Sequence, residues 1–143
     1  MSGDAGARRI LARRFAARPD QLRRIRRALA RALEGLGMEA DGAADTVLAV
    51  DEACQNVIRH AYRGEGGDIV LRVDQRKGEL VIEIRDFAAP VDPARIRPRP
   101  LHELRPGGLG THFIRSVMDR VEYLPAATGR GNVLRMVRRL GSG

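Results

Sequence analysis

The order of patterned segments predicts an α+β protein: a two-layer α/β sandwich with helices on one face of a mostly antiparallel, mixed sheet. Three stretches place apolar residues at helical spacing, and five shorter ones alternate or run apolar at strand length. They follow one another as strand, helix, helix, two strands, loop, helix, two strands. No internal repeat and no long linker interrupts them, so residues 1–143 read as a single domain.

Residues 8–15, RRILARRF, have strand character. Pro19 and Asp20 open a helix whose apolar stripe is Leu22, Ile25, Leu29, Leu33 and Leu36, and Gly35 and Gly37 end it. Arg23, Arg24, Arg26, Arg27 and Arg31 cover the rest of that helix. Such a run marks a solvated face, with a partner-docking face as the sharper alternative. A second helix spans about residues 42–62, with Val47, Leu48, Cys54, Val57, Ile58 and Ala61 on its apolar side. Gly64, Gly66 and Gly67 break it. In the hairpin that follows, Ile69, Leu71 and Val73 alternate with Val70, Arg72 and Asp74, and RKGE turns the chain into LVIEIRD. The stretch 87–110 carries Pro90, Pro93, Pro98, Pro100 and Pro106, ends in GGLG and has no sustained period. A loop of that length in a compact domain is usually functional. Thr111 opens a third helix with Phe113, Ile114, Val117 and Met118 as its stripe, and VEYLP and NVLRMVRRL close the sheet.

Composition narrows the function. Hydrophobic residues make up 43% of the 143, but aromatics only 3% and Trp none, so Leu, Ile, Val and Ala build the core. No apolar run approaches the roughly 20 residues of a membrane span, and MSGDAGARRILARR has no apolar stretch of signal-peptide type. The expectation is a cytoplasmic protein with no membrane association. The single cysteine, Cys54, excludes an internal disulfide and a multi-cysteine zinc site, and reads as a small core residue. His60, His102 and His112 have no metal-ligand spacing. Net charge is +8, and every basic residue but Lys77 is arginine. That balance suits nucleic acid, an acidic partner or a phosphate-bearing ligand. Without aromatics interleaved among the cations, direct nucleic-acid binding is not expected.

Three elements can carry chemistry. On the second helix Glu52, Asn56 and His60 recur every four residues, neighbours about 40° apart around the axis. A carboxylate can take a proton, an amide oxygen can ligate Mg²⁺, and an imidazole can donate to a phosphate. Asp51 forms no carboxylate pair with Glu52, because adjacent helical residues diverge. Asp86 ends a strand just before the long loop, where it can accept from the exocyclic amine of adenine. Gly107, Gly108 and Gly110 precede a helix, where free backbone N–H groups and the positive dipole end receive phosphate. Each is bland alone: a polar face, a turn aspartate, a glycine turn. In this order they amount to an ATP site.

In that order, too, DEACQNVIRHAY, IRDFAAPVDP, GGLGTHFIRSVMDRV and GRGNVLRMVRRL resemble the N box, the two glycine boxes and the closing strand of Bergerat-fold ATPases, the superfamily of gyrase and the sensor histidine kinases. Length and wording are most similar to the anti-sigma factor serine-protein kinases, small bacterial proteins that hold a sigma factor and phosphorylate an anti-anti-sigma partner on serine. The similarity covers residues 8–140. It implies an ATP- and Mg²⁺-dependent serine kinase in which Glu52 is the base and Asn56 the Mg²⁺ ligand, with His60 a neighbour on the same face. It makes Asp86 the reader of the adenine amino group, with Ala88 beside it. Gly108 and Gly110 become the second glycine box, flanked by Leu109 and Thr111 in the ATP site, and Asn132 lies near the adenine. It further implies a sigma factor and a STAS-type anti-anti-sigma protein as partners, a homodimer formed through the N-terminal strand and arginine-rich helix, and an ATP lid at about 87–107. Two positions depart from the family pattern. Ala88 stands where the first glycine box has glycine, and a methyl there is expected to crowd the base or restrict the backbone. Asn132 stands where a hydroxyl residue is common. The alternative is a nucleotide-binding anti-sigma module that captures its partner without kinase activity.

Overall fold

The computed structural model describes residues 6–88, 106–125 and 131–141. Its elements are β1 (Arg8–Ala16), a 3-10 turn (Pro19–Gln21), α1 (Leu22–Glu34), α2 (Ala40–Asn56), a π-helical turn (Val57–Ala61), β2 (Asp68–Arg76), β3 (Glu79–Asp86), α3 (Pro106–Val117), β4 (Arg120–Pro125) and β5 (Asn132–Arg139). The strands form one sheet in the order β1-β2-β3-β5-β4. Every neighbouring pair is antiparallel. The antiparallel part of the expectation holds, and the mixed part does not: no parallel pair occurs among the described residues. β3 and β4 run the same way across the α3 connection, but β5 returns between them and separates them.

Strand alternation decides which face the helices cover. Ile69, Leu71 and Val73 of β2, Leu80, Ile82 and Ile84 of β3, and Leu134 and Met136 of β5 are buried on one face. Against them pack Ile25, Leu29 and Leu33 of α1, Ala49, Val50, Ala53 and Cys54 of α2, and Ile114 of α3. α2 is the middle helix, in contact with both α1 and α3. The β2–β3 hairpin closes on two residues, Lys77 and Gly78, with φ of 42° and 77°. Positive φ at both central positions makes the tight turn whose twist matches the strands. Arg23, Arg24, Arg27 and Arg31 of α1 are exposed, as a solvated face requires. Among the described residues no helix is long and apolar enough to cross a membrane.

Two expectations change. Leu48, assigned to the apolar side of the second helix, is 51% exposed. The buried stripe of α2 follows Thr46, Val50, Ala53 and Val57, and residue 48 falls roughly opposite it on a 3.6-residue helix. The third helix starts at Pro106 instead of Thr111, so Gly107, Gly108 and Gly110 lie inside its first turns. Proline at a first helical position loses nothing, since that N–H has no intrahelical partner.

Candidate functional site

α2 holds Glu52 and Asn56 one turn apart, both half-buried. His60, the third member of the stripe, is exposed and does not continue it regularly. From Val57 the chain winds as a π-helical turn, with the Tyr62 N–H donating to the Val57 carbonyl at 3.0 Å, so four residues no longer complete a turn after Asn56. Single π turns of this kind are frequent at functional sites.

The neighbouring carboxylates Asp51 and Glu52 have different surroundings. Asp51 is buried and bound on both oxygens: Arg26 of α1 donates Nη1 to Oδ1 at 2.8 Å, and Gln55 donates Nε2 to Oδ2 at 2.7 Å. Gln55 in turn accepts from Arg59. This chain ties α1 to α2. The Glu52 carboxylate has no hydrogen-bond or ion-pair partner among the described residues.

At the other wall, β3 ends in Asp86, 4% exposed. The antiparallel register sets it opposite Asn132 of β5 and Ile69 of β2. Asn132 donates Nδ2 to Asp86 Oδ1 at 2.9 Å, and the Ala88 N–H donates to the same oxygen at 3.0 Å. Oδ2 is the oxygen these two bonds do not use. A buried carboxylate with one oxygen anchored can present the other to a donor such as an exocyclic amine. Ala88 reaches this arrangement without strain, because among the described non-glycine residues only Arg63 and Lys77 take a positive φ. Phe87, between them, lies under two guanidinium groups, Arg85 at 4.8 Å and Arg14 at 5.2 Å from its ring centre. Such cation–π contacts hold the strand end in place.

Two residues here were missed in the sequence. Gly131 has φ +87°, and a Cβ on it would stand 2.0 Å from the Asp86 carbonyl oxygen. Its signal was the second glycine of GRGN, immediately before β5. Tyr62 closes the π turn, and its hydroxyl donates to the Asp68 carbonyl and accepts from the Phe87 N–H, both at 2.7 Å. Burial pushes its phenol above the usual value, and the Asp86 and Asp68 carboxylates add to that, so it stays a donor at neutral pH.

The structure thus brings Asp86, Ala88 and Asn132 into direct contact, and Glu52 and Asn56 onto one helix whose end reaches Phe87 through Tyr62. Gly107, Gly108, Leu109 and Gly110 do not form the turn ahead of a helix that the sequence suggested; with Thr111 they are helical backbone. The N–H groups near the start of α3, Gly107 and Gly108 among them, still lack intrahelical partners, which is what anion binding requires. Of the expected lid, residues 89–105 lie outside the described residues. A surface cavity of about 670 Å³ among Leu36, Met38, Gly42, Gln75, Arg138 and Leu140 lies at the opposite end of the sheet from Asp86 and holds none of the candidate residues.

Residues 15–138 match the histidine kinase-like ATPase domain family. The chain belongs to that family. Within it, the chain is similar to the serine-protein kinase RsbW of Bacillus cereus (strain AH820), 27% identical over 108 residues that cover 70% of this chain and 68% of that protein. It is 33% identical to RsbW of Halalkalibacterium halodurans over 99 residues, 61% of this chain and 58% of the relative. Both relatives are named serine-protein kinases, and ATP-binding goes with the ATPase domain family. Among solved structures, the SiaB–SiaC complex from Pseudomonas aeruginosa superposes with a TM-score of 0.61 at 19% identity, covering 91% of both chains. The RsbU and RsbW domains of a Mycobacterium tuberculosis protein give 0.63 at 16%, covering 91% of this chain and 32% of that one. At such identities the two structures show a shared fold.

Proposed function

We propose that this chain is an ATP-dependent protein serine kinase and anti-sigma factor, a single-domain partner switch that binds a sigma factor and phosphorylates an anti-anti-sigma protein of STAS type. The observation that carries the reading is a pair of walls: a carboxylate without a partner among the described residues and an amide one turn apart on α2, and a buried aspartate with one oxygen anchored at the end of β3. In this reading Glu52 takes the proton from a serine hydroxyl as its Oγ attacks the γ-phosphorus and ADP leaves. Phosphoryl transfer asks the protein mainly for positioning and charge stabilisation, which a small set of groups can supply. Asp86, held by Asn132 and the Ala88 N–H, accepts from the adenine amine, and the N–H groups around Gly108 and Gly110 receive phosphate. His60 lies at the margin of the site.

No group of three or more His, Cys, Asp or Glu among the described residues could cage a metal. That fits Mg²⁺, which keeps several waters and takes substrate phosphate oxygens with one or two protein ligands. Asn56 would hold it, and the ion would neutralise charge on the phosphates. Leu48, exposed one turn before Glu52, offers apolar contact where a protein presenting its serine must lie. The reading includes a homodimer through β1 and α1 and a cytoplasmic location.

The test is incubation of the chain with labelled ATP, Mg²⁺ and the anti-anti-sigma-like proteins of its own genome. Label on a serine is expected; ATP binding with no label on any of them would favour the capture module without transfer. The motive for that second reading is Ala88, and Ala88 needs no left-handed backbone here.

A further inference from the structure

Tyr62 occupies a junction that neither ATP chemistry nor core packing alone requires. Its ring lies over Gly67, where a Cβ would stand 2.2 Å from Cε1 and 2.3 Å from Cζ, so only a glycine leaves it that seat. Its hydroxyl bridges the start of β2, through the Asp68 carbonyl, and the end of β3, through the Phe87 N–H. Phe87 is the next residue after Asp86, and Ala88, one further on, donates back to the Asp86 carboxylate. The phenol therefore fixes the main chain between the two ends of the turn that holds that carboxylate. It does so from the end of the helix that carries Glu52 and Asn56.

We propose that Tyr62 is a positioning residue for the purine: by pinning the Phe87 N–H it sets where Asp86 stands, and so how strongly the site prefers a 6-amino purine over a 6-oxo one. The proposal rests on the reading of Asp86 as the adenine acceptor. A carboxylate accepts from an exocyclic amine and repels a carbonyl oxygen in the same place, so selectivity depends on holding it at hydrogen-bond distance.

The experiment is calorimetric titration of Mg-ATP and Mg-ITP into the parental chain and into Tyr62→Phe. The variant keeps the ring over Gly67 and loses only the hydroxyl. ATP affinity is expected to fall by about five- to tenfold, with ITP affinity nearly unchanged, so the ATP-to-ITP ratio shrinks by that factor. Gly67→Ala, which drives the same ring from its seat, is expected to shrink the ratio as well. A ratio unchanged in both variants overturns the proposal, whether both affinities hold or both fall together with the melting temperature. Failure of the parental chain to bind Mg-ATP would be a different outcome, since it sinks the site reading itself before any variant is compared.

Discussion

Gly131→Ala probes the contact on which the buried aspartate depends. The added methyl would meet the Asp86 carbonyl oxygen at 2.0 Å, with the Asp86 carbonyl carbon and Phe87 Cα at 3.1 Å, all rigid backbone. Ordinary contact begins at 3.4 Å, so the strand end must move by more than an ångström. The φ of +87° adds the left-handed penalty of an L-residue, roughly 1–2 kcal/mol. Gly78→Ala isolates that penalty, since Gly78 has φ +77° and a methyl there would meet nothing within 4 Å. Gly78→Ala should therefore cost about 1–2 kcal/mol, or roughly 3–6 °C in melting temperature, and leave nucleotide binding alone. Gly131→Ala should cost about 2–5 kcal/mol once overpacking is included, and weaken Mg-ATP by about tenfold or more because Asp86 is displaced. Thermal unfolding and calorimetry on the two variants give the comparison. Equal melting temperatures and equal ATP affinities would refute the argument.

Glu52→Gln should lower serine phosphorylation by about 10²–10⁴-fold, the usual worth of a general base, with Mg-ATP affinity within about twofold by titration. Leu48→Asp should raise the KM for the protein substrate several-fold while ATP affinity stays put; an unchanged KM would remove Leu48 from the docking face. Cys54 is fully buried, and desolvation, with the Asp51 charge second, pushes its thiol from 9.0 up to about 12. The unfolded chain then releases this proton at lower pH than the folded one, so stability is lost as pH rises through 9 toward 12. Cys54→Ala should flatten that alkaline slope in urea titrations, and the native thiol should resist a disulfide reagent at pH 8.

Strands, hairpin and the first two helices were legible because apolar period and side-chain burial coincide in them, as in Ile69, Leu71 and Val73. Leu48 misled because apolar character alone does not give azimuth; the buried stripe runs through smaller residues, Thr46, Ala49 and Ala53. The glycines at 107, 108 and 110 read as a turn on local propensity, yet Pro106 starts a helix through them. On the site, single residue types carried Glu52, Asn56 and Asp86. What stayed hidden was pairwise: the Asn132–Asp86 bond follows from strand register, and the reach of Tyr62 follows from how the helix ends. Neither has a signature in one dimension.

The wide turn at Val57–Ala61 also decouples two lengths in the molecule. Deleting one residue within it would restore the regular four-residue ladder and draw Tyr62 closer to Asn56 along the axis, while everything up to Asn56 kept its place. On the proposed reading, the turn thus separates the stretch of the rod assigned to base discrimination from the one assigned to proton abstraction.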